Sequence, residues 1–245
     1  MALRLENPEE RTRHDLASPD KETIRNFFNG IASCYDRINS LLSLSLDEYW
    51  RRRAVRLVLE GKGSEKSLLD LGVGTGKFLK KFLPQRPWKI AAGVDFADEM
   101  LSQAQSKLPA ECRLIQADIH DLPFTDESFD LVISSFTLRS VKNRRHFFSE
   151  VRRILRLKGK AAFLCLTRPK SLAGRALYAP YLKFYLPFMG GLISRDPLAY
   201  RFLSESIQSF PSPREVGNEL ESLGFHRVSI FPFTFGISTL IRAEK

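Results

Sequence analysis

The stretch "LLDLGVGTGKF" (Leu68–Phe78) constrains the fold of this chain more than any other. A short apolar run ends in three alternate glycines, Gly72, Gly74 and Gly76, and a helix-like segment follows. Glycine suits a turn that needs left-handed backbone and a close approach to a ligand. The pattern therefore predicts a strand, a tight loop and a helix. Four more runs, "KIAAGVDF", "CRLIQADI", "FDLVISSF" and "KAAFLCLT", have the length and apolarity of strands. Between them lie the helical patterns "KFLKKFL", "ADEMLSQAQSKL" and "NRRHFFSEVRRIL". Alternation of this kind predicts a doubly wound α/β fold, and near-continuous apolar strands require helices on both faces. "REVGNELESLGF" reads as a last helix and "RVSIFPFTFGISTLIRAE" as two closing strands, giving a mostly parallel, seven-stranded sheet.

A chain of 245 residues, 43% hydrophobic, buries a full core as one domain. Its expected parts are a flexible tail over 1–22, a helical segment over 23–60, the core over 67–167, a helical insertion over 168–213 and a C-terminal helix with strands over 214–245. In the segment before the core, Phe27, Ile31, Ile38, Leu41, Leu42 and Leu46 recur at helical spacing, from Thr23 to about Leu59. The tail is charged and lacks an apolar signal core, so a cytoplasmic location is expected. Three scattered cysteines, Cys34, Cys112 and Cys165, predict neither a disulfide framework nor a zinc site. The most apolar stretch, "YAPYLKFYLPFMGGLIS", is broken by Lys183, two prolines and a glycine pair, which argues against a membrane span. The formal charge of +10 invites an anionic partner. Yet the basic residues fall in short pieces such as Arg51-Arg52-Arg53 and Arg152-Arg153, which solvated helix faces also explain.

Three acids end three consecutive strand candidates, on the edge where open α/β sheets bind ligands. Asp70 precedes the loop. An acid there would repel a pyrophosphate but attract the ammonium group of an amino-acid moiety, which points to S-adenosylmethionine. The spacing GxGxG, with Lys77 where a dinucleotide fingerprint wants its last glycine, agrees. Asp95 is suited to accept both hydroxyls of a ribose, although a strand-end acid beside the helix-cap candidate Asp98 has an ordinary reading too. Asp118 and Ile119 are suited to an adenine amino group and ring face, although a single acid there is commonly a turn residue. Cys165, within the fifth strand, reads as a small buried hydrophobe.

Together these features resemble the class I methyltransferases, with their Rossmann-like sheet, from about Ser67 to Thr167. "FFNGIASCYDRINSLLSLSLDEYW" in turn resembles the N-terminal signature of the ubiquinone/menaquinone biosynthesis C-methyltransferases, through Phe28, Ala32, Tyr35, Asp36, Asn39, Ser43 and Trp50. "YRFLSESIQSFP" and "LGFHRVSIFPFTFGI" look like its C-terminal signature. The resemblance implies cofactor contacts from Asp70, Gly72, Gly74, Thr75, Gly76, Asp95, Phe96, Asp118, Ile119 and Ser135. It also implies catalytic roles for Arg139, Asp36 and Tyr35, in a lid closing over the cofactor's methionine end. The reaction implied is methylation of a ring carbon of a lipid-tailed quinol, without a metal: demethylmenaquinol first, a polyprenyl benzoquinol as the alternative. Arginine is too basic to remove a proton, so Arg139 is expected to stabilise a phenolate; the alternative is a helix-start arginine packed on the sheet edge. Departures are Ser140 for the usual Asn, Asp47 for His and Cys165 for Glu. The insertion, aromatic from Leu177 to Met189, is expected either to meet a membrane peripherally or to pack as an ordinary subdomain. A homodimer is admitted and a nucleic-acid partner is not expected. An RNA or protein methyltransferase, and a noncatalytic cofactor-binding member, stay open as lesser alternatives.

Overall fold

The computed structural model of the protein describes residues 21–61, 63, 65–169, 172–185, 206–207 and 209–245. Most of the expected tail lies outside these residues, as do Leu186, Phe188, Met189, Tyr200 and Leu203. Helices α1 (Lys21–Ile31), α2 (Tyr35–Leu42) and α3 (Leu46–Val58) come before the sheet. The helical periodicity of this segment is therefore broken twice. At the second break Leu44 and Ser45 take left-handed φ of 51° and 61°, and the Ser45 amide donates to the Ser40 carbonyl, which closes the end of α2.

The alternating part runs β1 (Ser67–Leu71), α4 (Lys77–Phe82), β2 (Ile90–Asp95), α5 (Asp98–Gln105), β3 (Arg113–Gln116), β4 (Phe129–Ser135), α6 (Arg144–Ile154) and β5 (Leu155–Leu166). Then follow α7 (Leu172–Pro180), α8 (Pro213–Ser222), β6 (His226–Phe233) and β7 (Ser238–Glu244). The seven strands lie in the order β3-β2-β1-β4-β5-β7-β6, all parallel except β7, which is antiparallel to both neighbours. Every residue of β1 is buried, as a central strand covered on both faces requires. Leu69, Leu71, Val132 and Phe163 face Phe147, Phe148 and Val151 of α6. Leu68, Leu131, Ile133 and Leu164 face Trp50 of α3 and Phe78 and Phe82 of α4. The period of two along the strands thus sorts one sequence into two cores. Burying each such Phe or Leu contributes about 1.5–3 kcal/mol.

Two local features differ from the sequence expectation. Helix α6 passes straight into a strand that begins at Leu155, earlier than "KAAFLCLT". The pairing slips between Phe129 with Leu155 and Leu131 with Lys160, so "RLKGK" is a bulge with Lys158 at φ 63°. Asp98 is not the cap of α5. That place belongs to Ala97, whose amide donates to Asp95 Oδ1, while Asp98 in the first turn accepts from Asn29 Nδ2 of α1. Helix α8, by contrast, has the capping box that its sequence spells, with Ser212 and Glu215 bonding reciprocally and Pro213 at the first turn. Among the described residues no helix is long and apolar enough to cross a membrane.

Candidate active site

The strand order reverses beside β1, and the carboxyl ends of β1, β2 and β4 open there into a crevice. The glycine loop closes its floor. Gly72 has φ 68° and its amide donates to the Val94 carbonyl at 2.8 Å; a Cβ at Gly72 would collide with the Thr137 side chain. Gly76 at φ 80° is packed against Leu108, within 2.9 Å of where a Cβ would stand. Gly74 differs: it has φ 53°, nothing lies within 4 Å of its Cβ position, and it lines the cavity. The loop is therefore packed tightly below and left open on the side where a ligand's backbone contact would form.

This first cavity has a volume of about 550 Å³. Tyr35, Gly72, Gly74, Asp95, Phe96, Asp118, Ile119 and Ser135 all line it. Asp95 is 6% exposed; its Oδ2 accepts from the Gly74 amide at 2.8 Å and its Oδ1 from the Ala97 amide at 3.0 Å. Burial raises its pKa, and the backbone amides oppose that shift. Asp118 accepts from both the backbone amide and Nδ1 of His120, at 2.9 and 2.8 Å. The His120 ring stacks on His146 with centroids 6.1 Å apart. Helix α1 covers the cavity from outside, where Phe28 meets Tyr35 and Phe96 edge-on. Phe28, His120, Phe136 and Thr137 were not among the expected site residues. Phe28 was visible only as a signature residue, and the others reach the cavity through loop geometry.

Four expected residues line neither this cavity nor its neighbour. Asp70 is 1% exposed beneath the loop, with Oδ2 accepting from the Leu79 amide at 3.1 Å and Oδ1 without a partner among the described residues. Burial holds its pKa well above the ordinary carboxylate range; the Leu79 amide and Arg51 oppose the shift and Asp95 adds to it. Thr75 and Gly76 are likewise buried in the loop. Asp36 works as a clasp, since it accepts from Thr75 Oγ1 at 2.7 Å and from Lys107 Nζ at 2.9 Å, tying α2 to the loop and to the end of α5.

The raised Asp70 pKa makes a testable sign. The unfolded chain releases that proton at about pH 3.9, whereas the folded chain keeps it to higher pH. Its contribution to stability is thus fully present below the unfolded value and lost as pH rises through the folded one. In ligand-free protein, thermal melts are expected to show Asp70→Asn gaining on the wild type as pH rises from acid to neutral. A difference that does not change with pH would remove the buried-charge account.

A second cavity of about 530 Å³ adjoins the first, and Tyr35 and Phe136 line both. Its wall is mostly apolar, including Leu42, Leu46, Trp50, Leu166, Tyr178, Ile207 and Ile237. The polar exceptions are Asn39, Ser43, Asp47, Arg51 and Arg139. Asp47 and Arg51 form a buried ion pair; Ser43 Oγ donates to Asp47 at 2.9 Å, and the Arg51 guanidinium lies 4.9 Å from the Phe136 ring centre. Arg139 Nη1 donates to Ser206 Oγ at 3.2 Å, while its buried Nε has no partner among the described residues. Burial lowers the pKa of this guanidinium and the nearby Tyr35 phenol opposes the shift. Cys165 is no nucleophile: it is 3% exposed and burial pushes its thiol up to about 12.

The first cavity fits S-adenosylmethionine by its donor set. A glycine backbone free on the ligand side, a strand-end carboxylate for vicinal hydroxyls and an acid next to an aliphatic side chain for a purine all lie on one wall. The family model of the "ubiE/COQ5 methyltransferase family" matches residues 16–245. The demethylmenaquinone methyltransferase of Thermotoga maritima is 36% identical over 225 residues, covering 91% of this chain and 96% of that protein. That of Thermus thermophilus is 38% identical, covering 87% and 97%. The ubiquinone/menaquinone biosynthesis C-methyltransferase of Geotalea uraniireducens is 36% identical, covering 91% and 97%. Among solved structures, a SAM-dependent methyltransferase from Thermotoga maritima superposes with a TM-score of 0.62 at 20% identity, covering 90% of this chain and 99% of the other. One from Aquifex aeolicus reaches 0.54 at 18%, covering 78% and 88%. These last two likenesses concern the fold alone. From family match, relatives and fold together, the chain is an S-adenosylmethionine-dependent methyltransferase and belongs to the ubiE/COQ5 methyltransferase family.

Proposed function

We propose that this enzyme methylates a ring carbon of a prenylated quinol in respiratory quinone biosynthesis, converting demethylmenaquinol to menaquinol. The observation that carries this reading is the wall of Tyr35 and Phe136 shared by the cofactor cavity and a second, mostly apolar one. Names borne by relatives such as the Thermotoga maritima protein add support. A bicyclic quinol ring suits the aromatic and aliphatic lining, and a polyprenyl tail suits the apolar walls beyond it.

S-adenosylmethionine supplies, when bound, an electrophilic methyl group. Asp95 and the loop glycines would hold its ribose and backbone-facing parts, with Asp118 and Ile119 at the base. In the second cavity Arg139 stabilises the oxygen of the ring as it becomes anionic, since its guanidinium stays protonated even when buried. Asp47, held by Ser43 and Arg51, accepts the hydroxyl proton as charge moves into the ring. Once the ring carbon has taken the methyl group, the hydrogen on that carbon leaves as a proton, and a proton returned by Asp47 to the oxygen restores the quinol. Phe28, Tyr35 and Phe136 exclude water from the junction, and Asp36 keeps α2 closed on the loop.

The test is turnover of two reduced, short-tailed substrates, a demethylnaphthoquinol and a 6-methoxybenzoquinol, with products identified by mass spectrometry. The naphthoquinol is expected to be favoured in kcat/KM by about tenfold or more. Preference for the benzoquinol moves the substrate assignment to that ring. No product from either, with cofactor binding intact in calorimetry, overturns the quinol reading.

A further inference from the structure

The second cavity has an unusual rim. Leu44 and Phe235 both line it and yet are 68% and 90% exposed. Each sits in a left-handed pair, Leu44–Ser45 at φ 51° and 61° and Thr234–Phe235 at φ 45° and 56°. Such backbone is costly for residues other than glycine, most of all for the β-branched Thr234. Trp50 Nε1, on the helix α3 that follows Leu44–Ser45, donates to Thr234 Oγ1 at 2.8 Å. Two strained turns, one leading into α3 and the other bonded to it, thus hold two large apolar side chains in solvent at the mouth of an apolar cavity.

The surroundings extend the pattern. On one side Tyr185 and Tyr181 donate to the carbonyls of Leu41 and Leu42; Leu41 is exposed, and so is Phe184, which precedes Tyr185 and has Lys183 over its ring. On the other, a shallow groove starts at Ser45 and carries Arg52, Arg53 and Arg56 against a single acid, Glu48. Glu48 is already paired with Arg52 and Lys81.

We propose that this rim docks on an anionic lipid bilayer, with Leu44 and Phe235 among the acyl chains and the three arginines on the headgroups. The inference rests on the reading that the substrate carries a lipid tail, because the cavity mouth would then open where the tail resides. Apolar side chains ringed by basic ones are what interfacial binding uses. A second copy fits less well, since a two-fold contact through this face would set one arginine row near the other. Nucleic acid would use the arginines but leave Leu44 and Phe235 without a partner.

The experiment is flotation of the full chain with vesicles of phosphatidylcholine alone and with added phosphatidylglycerol. The wild type is expected to bind the anionic vesicles more tightly, and less so as salt rises. The double variant Leu44→Asp/Phe235→Asp should lose binding to them by at least about tenfold. The triple variant Arg52→Gln/Arg53→Gln/Arg56→Gln should lose the preference for anionic lipid by about tenfold or more. Melting temperature and cofactor affinity, both remote from these exposed positions, verify that each variant is folded. Wild-type vesicle binding by both variants overturns the proposal. So does a double variant that changes sedimentation from dimer to monomer while keeping its vesicle affinity, which makes the face an interface between copies. The quinol reading fails separately: vesicle binding that obeys these variants, in a protein that methylates no quinol, supports the docking face and overturns only the substrate.

Discussion

Asp95→Ala is expected to lower the affinity for S-adenosylmethionine by a factor of about 100 or more. Asp95 ends β2, lines the cofactor cavity and accepts from two backbone amides, those of Gly74 and Ala97. A carboxylate so placed has acceptor capacity left for a ribose diol. Hydrogen bonds to a charged group are worth about 1.5–3 kcal/mol each, so two of them account for that factor or more. The loss has a second cause in the loop, since Gly74 at φ 53° is held in place by the same carboxylate. Stability should move less than affinity. Two amides lose their acceptor, at about 1–3 kcal/mol each if they stay dry, but a buried charge that is itself unfavourable disappears with them. Calorimetric titration well below the melting temperature separates the two effects. An affinity within about threefold of the wild type, under 1 kcal/mol, would return Asp95 to a purely structural strand-end role.

The elements most legible in the sequence were those governed by local rules. Alternate glycines before a helix need left-handed backbone at Gly72, Gly74 and Gly76, and all three have it. Near-continuous apolar runs became the central parallel strands, because a sheet covered on both faces requires them. Features that depend on a distant partner were not legible. Nothing local in "YDRI" says that Asp36 meets Thr75 and Lys107, 39 and 71 residues away. Asp70, expected from its spacing as a ligand contact, stands buried under the loop, where it accepts from the Leu79 amide nine residues on. The second cavity was hardest to foresee. It gathers α2, α3, the end of β5, α7 and the turn before β7, and no single stretch carries its pattern. Asp47 and Arg51 share one face of α3 at i and i+4, which looks from sequence like an ordinary solvated pair; burial alone makes it part of the cavity.

Arg139→Ala is expected to lower kcat by about 100- to 1000-fold while KM for the quinol changes far less. The argument starts from cost. A guanidinium is expensive to bury, and among the described residues this one is held by one hydrogen bond, to the neutral Ser206 Oγ, with Nε unpaired. An arrangement serving stability alone would give such a cation a carboxylate. Among the described residues no carboxylate pairs with it, and in the proposed reaction the ring oxygen would supply negative charge as it gains anionic character. A neutral hydroxyl in the ground state interacts weakly with the same group, so the stabilisation grows toward the transition state and is read in kcat. Two controls separate this role from packing. Arg139→Lys retains the charge but loses the planar fork, and should recover only part of the rate. In Arg139→Ala the rate should climb with pH as the substrate hydroxyl ionises without help, whereas the wild type should respond less over the same range. If Arg139 is instead a tether for Ser206, the alanine variant will melt earlier, keep a wild-type pH profile and lose little kcat, and the phenolate will need another partner in the cavity.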